Sequence, residues 1–216
     1  FSIGNGYMGQ RANFEEHYSG DSLQGSYVAG VYYPDKTRVG WWKNGYPEYF
    51  AKVLNSPKWI GVDLSIDDQP LDLAKAKIKS FRRVLNMKEG YLERSFIWHP
   101  SKGKSVEIKT RRFLSMTEPD LGIIRYFVNP LDFSGLIKFN VYLDGDIRNE
   151  DTHYGEKFWK DVYNHAEEGT GIITSGTLKT DFHVSAGMRY IIQKNGKTVK
   201  VTPEVTSGEG YAGNRI

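Results

Sequence analysis

Short runs of alternating apolar and polar residues, each closed by a turn signal, recur along most of this chain. Ile60, Val62, Leu64 and Ile66 alternate with Gly61, Asp63 and Ser65. The run ends at Asp67-Asp68-Gln69-Pro70 and apolar positions resume at Leu71 and Leu73, which predicts a hairpin. Residues 81–87 and 91–98 flank Lys88-Glu89-Gly90, where the glycine can supply the positive φ of a short hairpin loop. Period two continues over 106–110, but Phe113 falls out of phase with Ile108, and a β-bulge near Arg111-Arg112 would restore the face. Further strands are predicted over 123–128, 136–143, 171–178, 182–193 and 197–201, with Asn195-Gly196 as the turn between the last two. Ile137, Phe139, Val141 and Leu143 share one face, and a one-residue slip would expose all four, so that register is well specified.

Two stretches depart from this rhythm. Between residues 156 and 169, Phe158, Trp159, Val162, Tyr163 and Ala166 recur at helical spacing and Gly169 can close the last turn, which predicts a short amphipathic helix. Residues 27–33 favour a strand, and a long loop rich in Gly, Tyr and Trp then runs to Phe50. Aromatic side chains are costly to leave in water, so Trp41, Trp42, Tyr46, Tyr49 and Phe50 should pack against this domain's own core, another domain or a sugar. Many strands, frequent turns and one or two short helices predict an all-β fold, a large antiparallel β-sandwich of two sheets.

Composition narrows the partners. The 216 residues fit one large all-β domain. With 29 Lys and Arg against 26 Asp and Glu, the net charge of +3 is too mild, and too scattered, to indicate nucleic acid. The Arg82-Arg83 and Arg111-Arg112 pairs read as solvated or carboxylate-paired strand residues. Cysteine is absent, which excludes disulfides and thiolate metal sites and fits a reducing, cytoplasmic compartment. No apolar run approaches the about 18 residues that cross a bilayer, so no membrane partner is expected. Asp144-Gly145-Asp146-Ile147-Arg148-Asn149-Glu150 has part of a calcium-loop spacing, but Arg148 stands where a ligand belongs and no glycine occupies the sixth position. His17, His99, His153, His165 and His183 lack metal-ligand spacing. Neither a metal nor a cofactor is expected.

Gly4-Asn5-Gly6-Tyr7-Met8-Gly9 satisfies the dinucleotide pattern G-x-G-x-x-G. That pattern needs a buried strand before it and an apolar-periodic helix after it, and the flanks supply neither. Gly4, Gly6 and Gly9 read instead as a tight structural turn. FSIGNGYMGQRANFEE, followed by Gly25-Ser26-Tyr27-Val28-Ala29-Gly30-Val31-Tyr32, resembles the opening of the N-terminal domain of glycoside hydrolase family 65. Residues 33–50, YPDKTRVGWWKNGYPEYF, look like the maltose-phosphorylase branch of that family, and Arg82-Arg83-Val84-Leu85-Asn86-Met87-Lys88-Glu89-Gly90-Tyr91-Leu92 is similar to its arginine-pair, strand and glycine-turn signature.

The resemblance implies a galactose-mutarotase-like supersandwich spanning 1–216 as a single N-terminal domain, truncated at both ends. It implies a parent enzyme that inverts configuration, converting maltose and inorganic phosphate to β-glucose 1-phosphate and glucose. In that family the acid and the phosphate site belong to a helical barrel for which this sequence has no counterpart, so no catalytic residue is expected here. The domain's expected partners are that barrel and a second subunit, with Trp41, Trp42, Asn44, Tyr46 and Tyr49 at the interface or at the rim of the sugar pocket. Two rival readings stand beside it. Trp41, Trp42 and Trp59 would suit a free-standing carbohydrate-binding module, and a mutarotase-like enzyme would need a histidine acid and a glutamate base converging on the sheet.

Overall fold

The structure, a computed structural model, describes residues 1–37, 45–149 and 157–216. The glycine-rich opening forms a hairpin of β1 (Ser2–Gly4) and β2 (Met8–Arg11), to which β3 (Ser26–Val28) adds a third strand. Asn5 organises its turn. The side-chain oxygen accepts from the backbone N–H groups of Tyr7 (3.1 Å) and Met8 (2.7 Å), while the amide nitrogen donates to the carbonyls of Ser115 and Pro119. Gly6 sits at φ +89° in open space, so backbone conformation and not crowding demands glycine there. Gly6→Val is expected to cost about 1–3 kcal/mol through the strained dihedral alone. Urea unfolding would register that loss, and calorimetry on the unsubstituted chain should show no nucleotide binding.

Strands β4 (Tyr32–Lys36) and β5 (Tyr49–Val53) pair as a second hairpin. Next come β6 (Lys58–Ile66) and the short β7 (Gln69–Pro70), turned by Asp67 and Asp68, both at positive φ, as a type I′ hairpin requires. A meander of β8 (Ile78–Asn86), β9 (Tyr91–Trp98), β10 (Val106–Leu114) and β11 (Gly122–Pro130) makes a four-stranded antiparallel sheet. Strand β12 (Ile137–Asp144) returns beside β6. Then β13 (Trp159–Glu167), β14 (Thr170–Thr177) and β15 (His183–Arg189) form a three-stranded sheet, and β16 (Ile192–Lys194) with β17 (Lys197–Val199) a small hairpin. The last strands, β18 (Glu204–Gly208) and β19 (Tyr211–Arg215), complete a five-stranded sheet of order β18-β19-β12-β6-β7.

The chain is therefore an all-β sandwich. Its main core lies between the five- and four-stranded sheets, where Leu64, Ile66 and Leu71 meet Phe96, Trp98, Val106 and Ile108, with Ile137 and Phe139 against them. A second core joins Leu143 and Ala212 to Ile173 of the three-stranded sheet. A third, of Val31, Tyr33, Leu54, Ile147, Phe158 and Trp159, lies under the β4–β5 hairpin.

Two expectations are corrected. No described residue is helical, and the segment predicted as a helix is β13, paired along its length with β14. Its register shifts between Asp161 and Tyr163, and the extra residue there breaks the alternation of apolar positions, producing the three-to-four spacing that imitates a helix. Gly169, at φ +80°, turns the chain into β14. The bulge expected near Arg111-Arg112 is also absent, because β10 runs in unbroken register against both β9 and β11. Arg112 simply takes the inward position after Val106, Ile108 and Thr110 and is buried, leaving Phe113 on the other face. The bulge of this sheet lies in β8 between Lys79 and Arg82, with Ser80 at φ 53°.

Candidate functional site

Burying an arginine on the inner face of a sheet demands an anion, and the segment after β2 brings two. It runs along the free edge of β6, where the carbonyl of Glu15 accepts from the N–H of Val62 (2.9 Å) and the carbonyl of His17 from Leu73 (3.1 Å). From there both carboxylates reach the four-stranded sheet. Arg94 Nη2 donates to Glu15 Oε2 and Glu16 Oε2, each at 2.6 Å, and Arg112 Nη1 to Glu15 Oε1 at 3.0 Å. Tyr126 Oη donates to Glu16 Oε1 at 2.6 Å, and Arg112 Nη2 reaches the carbonyls of Arg11 and Asn13. Burial raises both carboxyls, but Glu15 has two guanidinium partners and ends below the usual carboxylate range. Glu16 has one, feels the charge of Glu15, and ends above it. The four charges balance and are almost wholly buried, so this cluster fastens the segment to the sandwich, and of the four only Glu16 borders a cleft.

A polar cleft of about 290 Å³ opens on the other side of the same segment, walled by Asn13, His17, Tyr18 and Gln24 and by Lys58, Tyr142 and Asp144 from the ends of β6 and β12. Lys58 is buried, donates to Tyr142 Oη at 2.7 Å and lies 4.8 Å from the centre of that ring. Loss of hydration lowers the Lys58 ammonium, with Asp63 and Asp144 opposing the shift, and burial beside the same carboxylates holds the Tyr142 phenol protonated. Tyr142 stacks on Tyr211 at 5.7 Å between centroids, and Asn140 bridges Asp63 and Tyr211. His17 and Glu16 both line this cleft, yet Glu16 is already committed to Arg94 and Tyr126, so the pair lacks the free base that a mutarotase-like reading requires.

Of the residues expected at an interface or sugar rim, Trp41, Trp42 and Asn44 lie outside the described residues. Tyr46 (57% exposed) and Tyr49 (51%) flank the end of the β4–β5 hairpin, and Tyr32, Phe50 and Val53 of the same hairpin are also exposed. A shallow apolar groove of about 400 Å³ lies beside them, lined by Tyr7, Met8, Tyr27, Val28, Tyr32 and Val53 among others. Trp59 is half-buried between two of the cores, so it offers no platform for a sugar. Gly4, Gly6 and Gly9 belong to the first hairpin, with Gly4 opposite Gly9. The reading of Arg111-Arg112 as carboxylate-paired strand residues holds, with Arg111 on Glu93 and Arg112 on Glu15. The buried cluster with Arg94 escaped it, although Arg112 is in phase with Val106 and Ile108, an inward position that a charge occupies only with a partner. Lys58 also stands in phase with Ile60, Val62, Leu64 and Ile66, but the register of β12 on β6 shifts between Tyr142 and Asp144, and Lys58 pairs with Asp144.

The family profile described as "Glycosyl hydrolase family 65, N-terminal domain" matches residues 1–215. The chain belongs to that family. As a family 65 N-terminal domain it is 47% identical over 181 residues to a maltose phosphorylase of Bacillus subtilis, a match covering 84% of this chain and 24% of that protein. It is 30% identical over 243 residues to an α,α-trehalose phosphorylase of Thermoanaerobacter brockii, covering all of this chain and 31% of the relative. Against a kojibiose phosphorylase of the same organism the identity is 27% over 190 residues, covering 87% and 23%. A solved chain from the human microbiome, assigned as a kojibiose phosphorylase, superposes with a TM-score of 0.80 at 25% identity, over 99% of this chain and 27% of that one. The family 65 domain thus spans roughly a quarter to a third of its relatives' lengths. Among the described residues, no helix is long and apolar enough to cross a membrane.

Proposed function

We propose that this chain is the single, non-catalytic N-terminal β-sandwich of a cytoplasmic disaccharide phosphorylase. Its parent converts maltose and inorganic phosphate to β-glucose 1-phosphate and glucose with inversion. The observation that carries the choice of disaccharide is the 47% identity to a maltose phosphorylase, against 30% and 27% to the trehalose and kojibiose enzymes. Inversion would come from a carboxylic acid protonating the leaving sugar while phosphate attacks from the opposite face, with both groups held by a catalytic helical barrel. The buried carboxylates of this domain support that division of labour, since Glu15 and Glu16 are consumed by Arg94 and Arg112.

The domain's own task is to dock on the barrel and help dimerise the parent. Five exposed apolar side chains on one hairpin, Tyr32, Tyr46, Tyr49, Phe50 and Val53, support it, because such area is costly to leave in water and suits a protein partner. The pure chain is expected to release no glucose 1-phosphate from maltose, trehalose or kojibiose, whereas the full-length parent should do so from maltose. Phosphorolysis by the pure chain would refute the assignment. Replacing Trp41 and Trp42 together by Ala in the parent should weaken assembly or raise KM, while the same change leaves the unfolding midpoint of the isolated chain in place.

A further inference from the structure

Nothing in the docking role uses the polar cleft at Lys58, and the cleft has the marks of a built site. Lys58 is only 9% exposed and has Tyr142 Oη as its hydrogen-bond acceptor, so two of its three N–H donors remain for a ligand. The Tyr142 and Tyr211 rings lie flat along the sheet because glycines face them. A Cβ at Gly61 would stand 2.7 Å from the Tyr142 ring, and one at Gly213 would stand 2.5 Å from Tyr211 Oη. Gln24 adds an amide on the opposite wall, where the Asn13 amide is held by Ser22, Leu23 and Gly25, and Tyr18 adds an aromatic side.

Charge selects among ligands. The Lys58 ammonium and the Arg148 guanidinium, which also lines the cleft, disfavour a metal cation, while Asp144 beside Lys58 disfavours a phosphate dianion and Asp146 at the rim is already paired with Lys157 at 2.8 Å. The polar walls leave little for an apolar molecule. What remains is a small neutral molecule that both donates and accepts hydrogen bonds and presents one apolar face to a ring. The volume of about 290 Å³ is at the small end of ligand clefts, enough for one sugar ring. We propose that this cleft binds a single pyranose unit of a neutral saccharide, with Lys58 donating to a ring hydroxyl, Asp144 accepting from one, and Tyr18 covering the ring's C–H face. This site is separate from the reaction proposed for the parent. It would hold a sugar or the end of a glucan on the N-terminal domain.

The test is a titration of the 216-residue chain with methyl α-glucopyranoside, followed by amide NMR shifts and calorimetry, with inorganic phosphate titrated in parallel. The expected result is saturable binding with a Kd of about 1 mM, which is typical of a few hydrogen bonds in an open cleft. Shifts should centre on Asn13–Gln24, Lys58 and Tyr142–Asp144. Lys58→Met and Tyr142→Phe should each raise Kd by about tenfold or more, since a charge-assisted bond is lost or its donor misplaced. Thermal melting establishes that each variant is folded. If Lys58→Met fails to fold, Tyr142→Phe decides, because it keeps the ring stacked on Tyr211. Absence of saturable shifts, binding centred elsewhere, unchanged affinity in the folded variants, or phosphate binding more tightly than the sugar would each overturn the proposal. None of these outcomes bears on whether the parent is a phosphorylase.

Discussion

Arg94→Met is expected to remove about 3–5 kcal/mol of folding stability at neutral pH, a large part of the whole for a domain of this kind. The side chain it deletes is the shared cation of two buried carboxylates. Without it Glu16 keeps only the hydroxyl of Tyr126, and Glu15 keeps only Arg112. Burial that the guanidinium compensated becomes an uncompensated charge. Urea unfolding would report the loss as a lowered midpoint at constant slope. Adding Glu16→Gln to Arg94→Met leaves one carboxylate facing one arginine, so the double variant should recover part of the loss, and a double-mutant cycle gives the coupling. The acid limb supplies an independent readout. Glu15 is held below its usual range when folded, so its contribution is present above pH 4.5 and is lost as pH falls through the folded value. Glu16 is held above its usual range and contributes with the opposite sign, so the destabilisation by Arg94→Met should be largest near neutral pH and shrink as pH falls and both buried carboxyls take up protons. A loss under about 1 kcal/mol, within the range of a surface ion pair, would mean that the cluster does not fasten the segment at all.

The same cluster shows where sequence reading stops. Alternation located β6, β9, β11, β12 and β14 to within a residue or two, because each buries one face and a slip would expose it. Turn chemistry was equally legible: Asp67-Asp68 and Asn195-Gly196 both take the positive φ that a two-residue hairpin needs. What failed was any place where period two is interrupted or a charge replaces an apolar residue. The bulge at Asp161–Tyr163 turned a strand into an apparent helix, and Arg112 at an inward position looked like a phase error in need of a bulge. Both mistakes assume that inward means apolar. The structure satisfies an inward guanidinium with the carboxylate of Glu15, 97 residues away in the chain, a pairing that no local pattern encodes. The Lys58 cleft is illegible for the same reason, since its walls come from three separated segments that become neighbours only when β12 returns beside β6.

Trp159→Ala should be as damaging as the loss of Arg94, but its damage should concentrate on one part of the fold. The indole is 2% exposed and belongs to the core of Val31, Tyr33, Leu54, Ile147 and Phe158 beneath the β4–β5 hairpin. Its N–H donates to the carbonyl of Asn55 at 2.7 Å. Asn149 ties the same segment from the other side, donating to the carbonyl of Val53 and accepting from the N–H of Asn55. Removing so large a buried ring costs about 3–5 kcal/mol. Trp159→Phe keeps most of the apolar contact but leaves the Asn55 carbonyl without its donor, an effect of about 1–3 kcal/mol. Because Tyr33 packs at a tilt against Phe158 with 4.6 Å between ring centroids, loosening this core should free the hairpin that carries Tyr46 and Tyr49 before it reaches the main core at Phe96 and Ile108. Hydrogen exchange under native conditions would separate the two. Amides of β4 and β5 should lose protection in Trp159→Ala by more than those of β9 and β10. In the parent enzyme the same variant should then weaken subunit assembly at temperatures where the sandwich is still folded. Uniform loss of protection across all strands would make the hairpin core part of one cooperative unit, and its exposed tyrosines could not be disturbed independently of the fold.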